Sequence, residues 1–179
     1  NNIQPLLTVI SGPSGVGKDT IVNLIKERQP QAHFARTITT RPLRKGEVDG
    51  KDYKFLNNDE FNSLLSNRDF LEYAKVYGNY YGVPKKEVYT PLSENKDVFL
   101  KTDVQGVATI KRLLPNSICV FIAPNTPDDL IARLNKRDGD HQPSLQTRIE
   151  TLPEELADIP LFDYVLINHP NSPDKVVDS

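Results

Sequence analysis

The sequence predicts an α/β fold: a parallel sheet flanked by helices on both faces, carrying a small inserted α+β lobe and a short lid. Three observations predict it. Short apolar runs read as buried strands, helical patterns separate them, and a glycine-rich turn joins the first strand to the first helix.

The first run, LLTVIS (6–11), ends in Ser-Gly-Pro, as a buried parallel strand does when it enters a loop. After the loop, TIVNLIKER (20–28) sets Ile21, Leu24 and Ile25 on one helical face and closes with Lys and Arg in its last turn. Three more runs, DVFLKT (97–102), SICVFIA (117–123) and DYVLIN (163–168), read as further buried strands. Between them lie the helical patterns VQGVATIKRLL (104–114) and TPDDLIARLNKR (126–137), the second opened by Thr126 as cap and Pro127 at the first position. The rhythm breaks at residues 34–90, where Tyr- and Thr-rich strand-like pieces surround one short helix, DEFNSLLS. This stretch is expected to be an inserted lobe with its own small sheet, leaving 1–33 and 91–179 as the core. The polar, turn-rich RDGDHQPS (137–144) marks a lid over roughly 137–146.

Composition limits the function classes. The 179 residues suffice for one well-cored domain, and 26% charged with 37% hydrophobic residues describes a globular chain. A net charge of −2 gives no general attraction to nucleic acid or membrane, so any anion site must be built from local clusters of base. No apolar run has membrane-spanning length, and the N-terminal NNIQPLLTVIS lacks the basic start of a signal peptide. The lone Cys119 sits in an apolar run as a small hydrophobe and fits a reducing cytoplasm. His33, His141 and His169 lack metal-ligand spacing.

Chemistry begins at GPSGVGKDT. Gly12, Pro13, Ser14, Gly15, Val16, Gly17 and Lys18 follow the G-x-x-x-x-G-K pattern of a phosphate-binding loop, between a strand and a helix as that motif requires. Backbone N–H groups and the positive helix end cradle phosphates, and the lysine neutralises the transferring group. The pattern departs at the next position. Asp19 stands where Ser or Thr usually offers a hydroxyl to a nucleotide-bound magnesium, ahead of Thr20.

A second anion site is expected in TRPLRKGEVDGKDY (40–53), where Arg41 and Arg44 lie three apart, Gly46 and Gly50 mark turns, and Tyr53 ends the stretch. GNYYG (78–82) adds Tyr80 and Tyr81. A solvated basic hairpin with core tyrosines has the same spacing.

VISGPSGVGKDT, TTRPLRKGEVDGKDYKF, FLEYAKVYGNYYG, DVQG and FIAP together resemble guanylate kinase, a nucleoside monophosphate kinase with the P-loop NTPase core. The resemblance runs from about residue 6 to about residue 168. It implies transfer of a phosphoryl group from Mg·ATP to GMP, with ATP and GMP as partners and a monomer or weak homodimer as the assembly. It implies that Arg41, Arg44, Tyr53 and Tyr81 hold the GMP phosphate and that Glu72 accepts from guanine N1–H and the 2-amino group, a pair adenine does not offer. Thr37 would reach guanine O6, and Asp103 would lie near guanine and the catalytic centre. Lys18 would meet the β/γ phosphates, and Arg133, Arg137 and Arg148 would neutralise the transferring group. Asn168 would lie at the adenine.

Four positions depart from that family's pattern. Besides Asp19, Lys101 replaces an aspartate in Lys101-Thr102-Asp103-Val104-Gln105-Gly106. The two changes nearly conserve total charge, and they are expected to face each other, with Asp19 holding magnesium directly or through water. Val83 stands where a hydroxyl residue often touches guanine. Pro153 is expected to kink or break the helix of LQTRIETLPEEL. Two rival readings are a guanylate-kinase-like binding module without catalysis and a ribose 1,5-bisphosphate phosphokinase. The intact loop opposes the first; the Arg41, Arg44, Tyr53 and Glu72 setting opposes the second.

Overall fold

The computed structural model describes residues 4–44, 46–137, 145–170 and 172–178. Its main sheet is parallel throughout and contains β2 (His33–Ala35), β7 (Val98–Lys101), β1 (Leu7–Ser11), β8 (Ile118–Pro124) and β9 (Tyr164–Asn168), in that spatial order. Alternation along the strands divides the core in two. Leu7 and Val9, Val98 and Leu100, and Cys119 point to one face, under α4 (Val104–Leu113) and α3 (Lys85–Ser93), where they meet Val107, Ile110 and Val88. Ile10 and Ile122 point to the other, where they meet Ile21 of α1 (Lys18–Arg28), Leu130 and Leu134 of α5 (Pro127–Arg137), and Val176 of α7 (Pro173–Val177). Cys119 is fully buried.

The second sheet has the order β4 (Lys54–Phe55), β3 (Ile38–Thr39), β6 (Asn79–Pro84), β5 (Phe70–Val76). Only β3 and β4 run parallel; β3–β6 and β5–β6 are antiparallel. It wraps a small aromatic core in which Phe61 of α2 (Asn58–Ser66) stacks on Phe70 at 4.5 Å and on Tyr80 at 5.2 Å. A reciprocal pair of bonds between Asn57 and Glu60 caps α2, satisfying donors that its first turn leaves open. Leu71 and Val83 of this sheet enter the core of the main sheet, so the two sheets share one apolar interior.

Three elements differ from the sequence expectation. Phe34 and Ala35, assigned to the insertion, belong to β2 and pair with β7, because Phe34 stacks on Phe99 at 5.1 Å. Helix α3 was not expected. Its Val88, Pro91 and Leu92 do follow helical spacing, but β-branched residues and an internal proline mask the signal. Of the kink or break expected at Pro153, the break does not occur: α6 (Leu145–Ala157) continues through it. A mid-helix proline costs about 3 kcal/mol, and Leu152, packed against the second core cluster, holds the turn in place. Of the lid expected at about 137–146, residues 138–144 lie outside the described residues. Among the described residues, no helix is long and apolar enough to cross a membrane.

Candidate active site

The loop after β1 is shaped by what touches it. A Cβ on Gly12 would lie 2.3 Å from the carbonyl oxygen of Ile122, and Gly17 caps α1 in the left-handed region at φ 101°. The Val16 carbonyl accepts from Asn168 Nδ2 at 2.7 Å and from Arg133 Nη1 at 2.7 Å, while Arg133 Nη2 donates to the Asn168 carbonyl at 3.2 Å. Arg133 and Asn168, expected at the transferring phosphoryl and the adenine, therefore brace the loop from α5 and β9. Asn168 Oδ1 stays buried with no hydrogen-bond partner among the described residues. Lys18 folds back over the loop and donates to the carbonyls of Gly12 and, at 3.0 Å, Pro13. Burial pulls its ammonium pKa down, against the carboxylates of Asp103, Glu155 and Asp19. Asp19 and Thr20 continue into the exposed first turn of α1, with Ser14 and Gly15 half-buried in the loop.

Asp19 and Lys101 do face each other. Lys101, at the end of β7 and beside β1, donates to Asp19 Oδ1, and its Nζ lies 4.2 Å from the centre of the Tyr53 ring. The same ring carries the Arg41 guanidinium at 5.1 Å on its π system and meets Tyr81 edge-on at 6.2 Å. Loop, strand end and inserted lobe are thus joined by one run of contacts, from Asp19 through Lys101 and Tyr53 to Arg41. Burial lowers the Lys101 pKa, but Tyr53 and Asp19 outweigh it and the net direction is upward; burial raises that of Tyr53.

Arg41 is buried, and Glu47 holds it. Nη1 and Nη2 donate to the two Glu47 oxygens at 2.7 and 2.5 Å, and the Arg44 backbone N–H donates to the same carboxylate at 2.9 Å. Burial alone would raise the Glu47 carboxyl; Arg41 and that N–H reverse the direction and hold it below its usual value. The Arg41 Nε–H is buried without a partner among the described residues. Glu47 was missed in the sequence, although it is the one acid in the basic stretch TRPLRKGE.

Glu72 is buried. It follows an irregularity between Phe70 and Glu72 in the β5–β6 pairing, which aims it at the main sheet. Oε1 accepts from Thr102 Oγ1 at 2.7 Å. A Cβ on Gly106 would lie 2.8 Å from each carboxylate oxygen, so only glycine in α4 leaves the side chain its place. Burial, aided by the negative charge of Asp103 at the start of α4 and opposed by the Thr102 bond, raises the Glu72 pKa to about 7. Thr37 Oγ1 donates to the Lys101 carbonyl at 3.0 Å, so its proton is engaged within the protein. Val83 is fully buried in the shared core. Arg137 and Arg148 lie on α5 and α6, but their side chains fall outside the described residues.

The donor set fits a magnesium ion that arrives with a nucleotide. Asp19 offers a carboxylate whose side chain is 52% exposed, and magnesium takes one or two carboxylates with phosphate oxygens and water. Among the described residues no group of three or more acids, histidines or cysteines could form a separate metal cage.

The family model for guanylate kinase matches residues 4–177. The guanylate kinase of Carboxydothermus hydrogenoformans is 40% identical over 91% of this chain and 80% of its own length. Guanylate kinase 2, chloroplastic/mitochondrial, of Oryza sativa is 40% identical over 92% of this chain, which spans 58% of that relative's length. The crystal structure of guanylate kinase from Anaplasma phagocytophilum superposes with a TM-score of 0.80 at 29% identity, covering 97% of this chain and 83% of that one. With a matching loop, lobe and fold across nearly its whole length, the chain belongs to the guanylate kinase family.

Proposed function

We propose that this chain transfers the γ-phosphoryl of Mg·ATP to GMP, giving ADP and GDP, with the donor phosphates on the loop 12–18 and the acceptor held by the inserted lobe. The reaction is that of its family. The observation that carries the acceptor assignment is Glu72: a buried carboxylate at the junction of the two sheets, bonded to Thr102, whose neighbour Lys101 contacts the Tyr53 ring that also carries Arg41. A fixed carboxylate pairs with the two adjacent donors of guanine, N1–H and the 2-amino group, and leaves adenine unmatched.

The chemistry needs no covalent intermediate. An oxygen of the GMP phosphate attacks the γ-phosphorus in line, the bond to the β-bridging oxygen breaks, and its electron pair leaves with ADP. The acceptor is already anionic, so positioning and charge neutralisation carry the rate. Arg41, held by Glu47 and by the Tyr53 ring, orients the acceptor phosphate, whose oxygen satisfies the unpartnered Nε–H. Lys18 leaves the loop carbonyls for the β/γ phosphates, and Arg133 and Asn168 keep the loop in shape. Asp19 would hold magnesium directly or through water, and the ion would supply screening of the phosphate charge.

A coupled assay of ADP release with GMP, AMP, UMP and ribose 1,5-bisphosphate as acceptors tests this reading. GMP alone should support turnover. Equal rates with AMP and GMP would refute the role given to Glu72.

A further inference from the structure

We infer that Lys101 is a further catalytic residue of this enzyme: an ammonium handed from Asp19 to the transferring phosphoryl group when both nucleotides are bound. The inference rests on the donor and acceptor sites proposed above and concerns a residue at which this chain carries a base.

Three other cations at the site, Arg41, Arg133 and Lys18, have protein partners. Arg41 gives both terminal nitrogens to Glu47, and Arg133 gives its own to the Val16 and Asn168 carbonyls. Lys18 serves the loop on the donor side. Among the described residues Lys101 alone joins the two sides, with Asp19 of the donor helix on one and Tyr53 of the acceptor lobe on the other. The transferring group travels between those two sides. A lysine placed there is a compact point charge on a flexible stem, free to pivot by a few ångströms without moving the backbone of β7.

The exchange is driven by what Asp19 must do. Its carboxylate meets Lys101 through Oδ1 in the first turn of α1, next to the loop lysine. When Asp19 turns to the nucleotide-bound metal, Lys101 loses its carboxylate while its side chain remains only 14% exposed. A largely buried cation left without an anion is costly, and a γ-phosphoryl oxygen bearing the charge of the transition state is the replacement at hand. Tyr53 supports the ammonium through both positions, since the ring face attracts a cation without fixing its direction. The arrangement puts positive charge where it develops its value only during transfer, which acts on turnover more than on binding of either substrate.

The competing role is purely local: Lys101 would do no more than neutralise Asp19. Two measurements separate the roles. In Lys101→Met, kcat should fall about 100-fold with the KM for GMP changed less than about threefold, and Lys101→Arg should recover most of the loss. Affinity for a compound joining adenosine and guanosine 5′ to 5′ through five phosphates, measured by calorimetry with magnesium, should drop about 30-fold in Lys101→Met while affinity for GMP alone holds. The double variant Asp19→Ser with Lys101→Met should stay as slow as Lys101→Met. Recovery of kcat in that double variant, or unchanged affinity for the joined compound, would overturn the inference and leave Lys101 a counter-ion. Absence of GMP turnover in the unaltered protein would instead overturn the acceptor assignment, which makes the two failures distinct.

Discussion

Glu72 Oε1 accepts a 2.7 Å hydrogen bond from Thr102 Oγ1, and this contact ties the inserted lobe to the end of the main sheet at the base of the proposed acceptor site. Thr102 supplies one donor to a carboxylate that can accept several. The remaining capacity is what a base with two adjacent N–H donors would use, and the raised pKa of about 7 shows how poorly the carboxylate is satisfied without it.

The first prediction concerns acceptor affinity and pH. Guanine needs the ionised carboxylate, so below pH 7 binding must first expel a proton from Glu72. The kcat/KM for GMP should therefore rise with pH through an apparent pKa near 7, by up to about tenfold per unit on the acid side. Glu72→Gln should lose at least about tenfold in kcat/KM and lose that limb of the profile as well. Phosphate ionisation of GMP acts on parent and variant alike, so the difference between the two profiles isolates Glu72. Superimposable profiles would remove Glu72 from the base site.

The same residue predicts a stability trend of opposite sign from the usual acid. The carboxyl titrates near 4.5 when unfolded and near 7 when folded, so between these values the native state binds more protons than the unfolded one. Stability from this group is full below about pH 4.5 and is lost as pH rises through 7, a change of about 3 kcal/mol. Glu72→Gln keeps an oxygen for Thr102 and carries no charge. Urea unfolding should show it more stable than the parent at pH 8 and nearly equal at pH 4.5. That outcome is the one expected of a carboxylate whose role lies in binding and not in the core.

Most of the main sheet was legible because buried parallel strands are continuous apolar runs and the helices between them carry clean stripes: β1, β7, β8 and β9 fall within a residue or so of expectation. α3 and β2 were not legible. Their positions depend on packing against distant partners, Phe99 for Phe34 and the shared core for Val88, and no local pattern encodes those. At the site, the loop could be read from spacing alone, and the facing of Asp19 and Lys101 from paired changes of charge. Glu47 and Gly106 could not, since their roles lie in what they hold in place: the Arg41 guanidinium and the Glu72 carboxylate.

Arg41→Lys tests whether the acceptor phosphate is gripped by shape or only by charge. Lysine keeps the positive charge but cannot make the two-pronged bond to Glu47 or present the Nε–H that now lacks a partner. The KM for GMP should rise about tenfold or more, and the KM for ATP should stay within about twofold, because Arg41 belongs to the lobe and not to the loop. Steady-state kinetics with each substrate varied in turn decide the matter. A change confined to ATP would reverse the assignment of the two sites.

Gly106→Ala is the most specific of these tests, because two effects of one methyl group point in opposite directions. In α4, replacing glycine by alanine favours the helix by about 1 kcal/mol through backbone entropy. The added Cβ, however, would stand 2.7 Å from the Glu72 carboxyl carbon and 2.8 Å from each oxygen, closer than carbon atoms approach. The carboxylate must then swing away from Thr102 and out of line with the base. Thermal unfolding should consequently move little, with helix gain and displaced side chain offsetting one another. The KM for GMP should rise at least about tenfold and the ATP site should be untouched. A merely structural glycine would give the reverse pattern, a lowered Tm with an unaltered KM, and that result would show that Glu72 does not need its present position to bind the acceptor.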